Sequence, residues 1–135
     1  YAAYGSNFVK TMLQLGAEKA QVSVVADQVG SPTYAGDLAD FILENLMDFK
    51  SKTTEVYHYS NSGICSWYDL AVAVMELSGT DCSVSPIPAT AYPTAAARPY
   101  YSVLDTGSLK QDFQLRIPYW RTSLATCISK LQTAV

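Results

Sequence analysis

The fold is decided by the stretch QVSVVADQVGSPTYAGDLADFILENLMDF, which occupies residues 21–49. Residues 21–26 form a short β-branched run that is typical of a buried strand. Gly30 and Pro32 follow and require a sharp turn. Apolar residues then recur at helical spacing over residues 35–49, which predicts an amphipathic helix. The inner stripe of this helix comprises Leu38, Phe41, Ile42 and Leu46.

The segments on either side continue the alternation of helix and strand. Ser6 is positioned to cap a first helix that ends near Gly16. Residues 55–60 are predicted to form another strand, which the Asn-Ser-Gly turn at residues 61–63 ends. A third helix is predicted from a capping-box pattern at its start and a glycine at its end. The residues of that pattern are Ser66, Asp69 and Gly79.

The C-terminal third is less regular. Residues 82–98 are rich in Pro, Ala and Thr, which predicts a short strand and then a long ordered loop. An extended segment at residues 101–105 leads into a short helix at 108–113, and Pro118 is placed to begin a last helix. The sequence therefore predicts one small mixed α/β domain over residues 1–135, with four to five helices and two to three short strands. These strands are too few for a complete doubly wound sheet.

Composition limits the partners of the chain. Its 135 residues are 49% hydrophobic and 16% charged, as expected for a packed globular domain. A net charge of −3 argues against a broad nucleic-acid or anionic-membrane surface, although one local cationic spot can still hold a small anion. No apolar run approaches the roughly 20 residues of a membrane span.

Several side chains resemble functional groups but have simpler interpretations. Three cysteines without paired spacing and one histidine do not make a zinc site, so we expect buried free thiols and no metal ligands. His58 alternates within a predicted strand, which favours a packed or hydrogen-bonded histidine over an acid–base group. An acidic row on the second helix is expected to be a solvated face; it comprises Asp37, Asp40, Glu44 and Asp48. Trp67 and Trp120 are predicted to anchor the core, with an interface as the alternative for Trp120.

Three segments have distinctive sequences: DQVGSPTYAGDLA at residues 27–39, YHYSNSGICSWYDLA at 57–71 and RPYYSVLD at 98–105. Together they resemble the C-terminal half of the dTDP-4-dehydrorhamnose reductase family. This family belongs to the extended short-chain dehydrogenase/reductases and reduces a nucleotide-linked 4-keto sugar with NAD(P)H. The resemblance implies a fragment of an extended Rossmann-type cytoplasmic oxidoreductase, acting in dTDP-rhamnose synthesis for cell-surface polysaccharides. Within it, residues 1–135 would be the substrate-binding domain.

The parts of such an enzyme that carry the hydride chemistry are not found in this sequence. No glycine set has the dinucleotide-binding spacing, and no Tyr has a Lys four positions later. We therefore expect the cofactor domain, with the catalytic Tyr and Lys, to lie outside this chain, and the chain alone to be inactive. The resemblance implies NADPH or NADH in the full-length enzyme, Mg²⁺ at a dimer contact, and two partners: the chain's own N-terminal cofactor domain and a homodimer.

The resemblance also implies a set of residues that bind the dTDP-sugar. Arg98 matches an arginine that pairs with phosphate in relatives, with a structural salt bridge as the alternative. Asn7 matches an asparagine at a helix start that touches the substrate diphosphate, with Phe8 and Lys10 beside it; a plain helix cap is the alternative.

Three further residues follow from the same resemblance. The loop that contains Gln28 and Gly30 packs against the nucleotide in related enzymes. Some relatives carry an Arg where this chain has Gly30, so Gly30 has a backbone-shaping role as its alternative. Tyr1 matches the last residue of a Trp-x-Tyr motif and is a candidate for the cofactor side of the site.

Two other functions remain open from the sequence. One is a non-catalytic regulatory subunit, because reductase-like proteins of this lineage can bind unrelated enzymes. The other is a reductase or epimerase for a different nucleotide-sugar, which the loop at residues 89–97 would select.

Overall fold

Five α-helices and four strands make up the described part of the computed structural model, residues 1–45 and 54–133. The α/β class is confirmed, with one strand more than predicted because two pairs of residues form very short strands. The helices are α1 (Phe8–Glu18), α2 (Ala35–Asn45), α3 (Trp67–Ser78), α4 (Gly107–Asp112) and α5 (Trp120–Thr133). The strands are β1 (Gln21–Val25), β2 (Val29–Gly30), β3 (Cys65–Ser66) and β4 (Ser83–Ile87), and a 3₁₀ turn covers Ala89–Ala91.

The strands form two separate two-stranded sheets. β1 pairs in parallel with β4, in a register that sets Val22 opposite Val84. β2 pairs antiparallel with β3, with Val29 opposite Ser66. An isolated bridge joins Val29 to Tyr101 and brings the C-terminal loop to the same edge. The second sheet is short, but it fixes three distant segments beside one another.

The core is built around α3. Ala71, Ala73 and Val74 are fully buried there, because α3 packs on α1, β1, β4 and α5 and is therefore apolar on most sides. Gly16 lets α1 approach closely, since a Cβ at this position would lie 2.8 Å from the Sδ of Met75. A smaller apolar cluster of Phe41, Leu109 and Ile117 lies between α2 and the C-terminal segment.

Helix caps explain where two of the helices begin and end. The capping box predicted at Ser66 is confirmed: the Asp69 backbone N–H donates to Ser66 Oγ, and the Ser66 backbone N–H donates to Asp69 Oδ2. Gly79 ends α3 as predicted, with a left-handed φ of 71°. The N-cap of α1 is Asn7 instead of the predicted Ser6, because the Asn7 side chain accepts from the Lys10 N–H.

α1 ends at Glu18, near Gly16 as predicted, and Gly16 itself lies inside the helix as a packing contact. Two other predictions about the elements need correction. Residues 55–60 form no strand, since their backbone pairs with no strand of the described residues. Ile42 is 43% exposed and lies off the buried face of α2. The predicted end of α2, which includes Leu46 and Asp48, lies outside the described residues.

The burial of the two tryptophans and the histidine differs in part from the prediction. Trp120 is buried as expected, at 5% exposure. Trp67 is 38% exposed and stands at the start of α3, at the border of the core. His58 is exposed and lies outside any strand, so the predicted packed environment is wrong. No helix in the described part of the chain is long and apolar enough to cross a membrane.

Candidate functional site

A cavity of about 350 Å³ opens where the second sheet, the start of α3 and the C-terminal loop meet. This volume falls within the range of small-molecule sites. Its walls come from segments far apart in sequence. They comprise residues 28–33, Ser60, residues 65–67, Leu70, residues 98–99, Ser102 and Leu104.

Gly30 allows two of these walls to come together. The Val29 N–H donates to the Tyr100 carbonyl at 2.8 Å, and the Ser102 N–H donates to the Val29 carbonyl at 3.0 Å. A Cβ at Gly30 would lie 2.8 Å from Ser102 Oγ, closer than a side chain tolerates. The glycine therefore permits the close approach that holds the loop containing Arg98 against β2.

Arg98 supplies the positive charge of the cavity. Its side chain is exposed at the cavity wall, and no carboxylate of the described residues pairs with it. The ion pair between Arg121 and Glu76, at 2.6 Å, lies elsewhere, on α5 and α3. A guanidinium that no described carboxylate pairs is suited to a phosphate or carboxylate group of a ligand.

Most hydroxyl groups around the cavity are engaged in protein hydrogen bonds. Ser31 Oγ donates to the Gly63 carbonyl at 2.8 Å, and Ser102 Oγ donates to the Val29 carbonyl at 3.1 Å. Ser66 Oγ belongs to the cap of α3. These bonds fix the walls of the cavity before any ligand arrives, which lowers the entropic cost of binding.

Cys65 is the cavity residue closest in type to a nucleophile, but its environment keeps it neutral. Burial, together with the nearby Asp69 carboxylate, raises the pKa of its thiol to about 12. The thiolate is the reactive form of cysteine, so Cys65 is protonated and unreactive near neutral pH. The three thiols of the chain, Cys65, Cys82 and Cys127, are buried and free, as predicted.

The structure brings three of the predicted site residues to this cavity: Gln28, Gly30 and Arg98. Phe8 lies one contact away, because its ring packs on Trp67 with 5.0 Å between the centroids. Lys10 contributes its backbone N–H to the cap of α1.

Asn7 and Tyr1 have their polar groups directed at other parts of the protein. Asn7 Nδ2 donates to the Ala2 carbonyl at 2.8 Å while its Oδ1 caps α1, which matches the helix-cap interpretation. The Tyr1 hydroxyl donates to the Trp120 carbonyl at 3.3 Å, and burial of this hydroxyl raises its pKa. Neither residue lines the cavity.

Sequence reasoning missed a buried polar cluster behind the cavity. Asn61 is 1% exposed; its side chain accepts from the Tyr34 N–H at 2.7 Å and donates to Asp37 Oδ2 at 2.5 Å. Ser123 Oγ also donates to Asp37 Oδ2. Asp37 was expected on a solvated face, which is wrong, because it joins α2 to α5 through these bonds. The Asn-Ser-Gly turn marked this position but did not indicate that its amide is buried.

No trio of His, Cys, Asp or Glu side chains within residues 1–45 and 54–133 is arranged to hold a metal ion. The Mg²⁺ expected from the resemblance therefore has no support from the donor groups present there. From the described residues the cavity receives one cation, an exposed indole, apolar walls and a backbone held by protein hydrogen bonds. The fold and the cavity together define a small mixed α/β domain with a preformed cavity that an arginine lines.

The particular family follows from comparison with known sequences. The chain belongs to the RmlD substrate binding domain family, whose profile matches residues 1–133. The spore coat polysaccharide biosynthesis protein SpsK of Bacillus subtilis (strain 168) is 40% identical over 134 residues, covering 99% of this chain and 46% of SpsK. The chain spans about half the length of the curated relatives it matches.

Solved structures agree with this assignment. A dTDP-4-dehydrorhamnose reductase ortholog from Clostridium acetobutylicum superimposes with a TM-score of 0.87 at 41% identity, covering 95% of this chain and 45% of that one. The dTDP-4-dehydrorhamnose reductase of Bacillus anthracis, solved in complex with NADP, gives a TM-score of 0.86 at 37% identity, with 96% and 45% covered.

Proposed function

We propose that this chain is the substrate-binding portion of a cytoplasmic dTDP-4-dehydrorhamnose reductase. The complete enzyme reduces dTDP-4-dehydro-rhamnose to dTDP-rhamnose, with NADPH or NADH bound by an N-terminal cofactor domain of the same protein. The present residues bind and orient the nucleotide-sugar. The cofactor domain would hold the NAD(P)H that supplies the hydride and would carry the side chain that supplies the proton.

The observation that carries this proposal is the guanidinium of Arg98, which no described carboxylate pairs, at a preformed cavity. A nucleotide diphosphate-sugar needs a cation for its phosphates and an apolar surface for its base, and both are present here. The family match over residues 1–133 and the reductase relatives support the same substrate class. The neutral thiol of Cys65 is consistent with a binding role for this half.

The test is NADPH oxidation by the complete protein with dTDP-4-dehydro-rhamnose as the substrate. We expect turnover by the wild type and a KM raised about tenfold or more in Arg98→Ala, because a charge-assisted hydrogen bond is lost. Since Arg98 binds remote from the reacting carbonyl, kcat should change much less than KM.

Arg116→Ala is the matched control, because Arg116 is exposed and lies outside the cavity. It should leave both constants unchanged. A folded wild-type protein that gives no turnover would reject the reductase function. An unchanged KM in Arg98→Ala would remove this arginine from the substrate site.

A further inference from the structure

A second groove, of about 620 Å³, lies where the end of α4 and the first turn of α5 meet. It is lined by Ser62, Lys110, residues 115–119 and Thr122, none of which lines the cavity that holds Arg98. Two of these residues are cations, and no carboxylate of the described residues is among them. In a chain whose net charge is −3, this groove is therefore a local region of positive charge.

The two cations, Lys110 and Arg116, have no partner in the part of the chain that the structure describes. Both side chains are exposed, and neither makes an ion pair or a hydrogen bond to a described residue. Arg121 differs, because its guanidinium pairs with Glu76. Two like charges on one groove repel each other, and an anion bound between them removes this repulsion. The unpaired cations therefore favour an anionic ligand.

The turn after α4 brings the two cations to the same groove. The Leu115 N–H donates to the Lys110 carbonyl at 3.1 Å, which folds the chain back at the end of the helix. Gln114 has a φ of 50° and is the one non-glycine residue with a positive φ in the described part of the chain. A residue with a Cβ adopts this conformation only where the surrounding structure requires it. The turn is therefore fixed, and Arg116 follows it directly.

The other side of the groove is an ordered aromatic surface. The Ser62 N–H donates to the Pro118 carbonyl at 2.9 Å, and Ser62 Oγ donates to the Ile117 carbonyl at 3.0 Å. The Tyr119 ring is 51% exposed and packs on Trp120 with 5.8 Å between the centroids. A ring that is held in this way loses little conformational entropy when a ligand lies on it.

We propose that this groove binds phosphate monoesters. The phosphate is held by Lys110 and Arg116, and its organic group lies on the ring of Tyr119. A phosphate dianion suits the pair of cations, because its oxygens accept charge-assisted hydrogen bonds from both. Thr122 lines the same groove and adds a hydroxyl donor. The inference is independent of the proposed function, since the groove and the cavity of Arg98 share no residue.

A single phosphate group fits this groove better than an extended polyanion does. Two cations balance the charge of one monoester, and the net charge of −3 on the chain would repel the further phosphates of a nucleic acid. The apolar lining provided by Leu115, Pro118 and the Tyr119 ring favours an ester with an organic group over inorganic phosphate.

The experiment is calorimetric titration of the complete protein at low ionic strength with phenyl phosphate and, separately, with inorganic phosphate. It is done in the Arg98→Ala protein, so that the arginine of the other cavity does not contribute. Phenyl phosphate should bind more tightly than inorganic phosphate. Lys110→Ala and Arg116→Ala should each weaken the binding of both ligands by about fivefold or more. Arg116→Lys keeps the charge and should retain most of the affinity.

The contribution of the ring is tested separately. Tyr119→Leu should weaken phenyl phosphate binding by about threefold and leave inorganic phosphate binding unchanged. Tyr119→Phe keeps the aromatic face and should bind both ligands as the Arg98→Ala protein does. Lys19→Ala is the matched control for the charge, because Lys19 is an exposed lysine at the end of α1 and lies outside the groove. It should also leave both affinities unchanged.

Each outcome decides the inference. Unchanged affinity in both Lys110→Ala and Arg116→Ala would overturn it, and so would the absence of binding by the Arg98→Ala protein. Phosphate binding that is present in the wild type and lost only in Arg98→Ala would place the anion in the other cavity, which overturns this site but leaves the proposed function intact. Equal affinities for the two ligands, with no effect of Tyr119→Leu, would overturn the assignment of a monoester.

Discussion

At the scale of single residues, Asn61 is a buried amide whose hydrogen bonds join separate segments of the chain. Its amide side chain joins the backbone of Tyr34 to the carboxylate of Asp37, and Ser123 on α5 completes the cluster. Tyr34 directly follows residues 28–33, which line the cavity. The cluster therefore ties the ligand-binding loop to two helices through groups that are largely shielded from water.

Replacing Asn61 with Ala should lower the free energy of unfolding by about 1–3 kcal/mol, because the buried Tyr34 N–H loses its acceptor and the partly buried Asp37 carboxylate loses one of its donors. Urea denaturation measures this change. Asn45→Ala is the matched control: Asn45 donates to the Phe41 carbonyl at the end of α2 and is less buried. A loss no greater than that of Asn45→Ala would contradict the structural role given to Asn61.

At the scale of elements, Gly63 sets how the turn before β3 packs on the start of α5. Its φ is 92°, and a Cβ there would lie 2.8 Å from Cδ1 of Trp120 and would also contact the Tyr119 ring. Its carbonyl accepts from Ser31 Oγ on the cavity loop. Both the backbone conformation and the available space therefore require glycine.

Gly63→Ala should lower the free energy of unfolding by more than the cost of placing an alanine in a left-handed backbone conformation. Gly5→Ala provides that comparison, since Gly5 has a φ of 67° and a Cβ added there would meet no described residue within 4 Å beyond its chain neighbours. We expect about 1–2 kcal/mol for Gly5→Ala and an additional penalty for the ring contacts at Gly63, both measured by urea denaturation. Equal losses at the two glycines would show that the aromatic rings move aside freely.

At the scale of the whole molecule, burial and nearby carboxylates favour the neutral form of several ionisable groups. Burial, with Asp69 nearby, raises the pKa of the Cys65 thiol from 9.0 to about 12. Burial, with Asp37 and Asp40 nearby, raises the pKa of the Tyr59 hydroxyl from 10.0 to about 12. Over this interval the unfolded chain binds fewer protons than the folded one, so the free energy of unfolding falls as the pH rises from about 9 to about 12.

Thermal unfolding between about pH 8 and about pH 11 should therefore show a falling Tm. Cys65→Ala removes one of the groups with a raised pKa and should make this decline shallower. Val24→Ala shortens another buried side chain but keeps the thiol, so it should lower Tm while retaining the wild-type slope. A Cys65→Ala slope identical to that of the wild type would mean that this thiol does not contribute.

The elements that sequence reasoning predicted well are those specified by local chemistry. The capping box at Ser66 and the glycine at Gly79 bound α3 as expected, because both act within a few residues of themselves. Residues 55–60 show the opposite case. Their alternation resembles a strand, but a strand needs a partner, and the described structure offers none to this segment.

The candidate site also contains some residues that the sequence identified and one whose environment it did not predict. Gln28, Gly30 and Arg98 were identified from the resemblance to a family, and the structure brings them to one cavity. Trp67 was predicted to be a core anchor because its place in the helical pattern is apolar, but the cavity borders it on one side. A periodic pattern identifies the apolar face of a helix but cannot tell whether protein or a ligand will cover it.

The sequence by itself determined the α/β class, the order of the helices, the capping of α3 and the family to which the chain belongs. These features depend on short-range hydrogen bonds, residue spacing and local motifs. Only the tertiary structure decided that Asp37 is tied into a buried cluster, that Gly30 allows the Arg98 loop to approach β2, and that Trp67 borders the cavity. The physical reason is that these properties arise from contacts between segments tens of residues apart, whose distances no local pattern encodes.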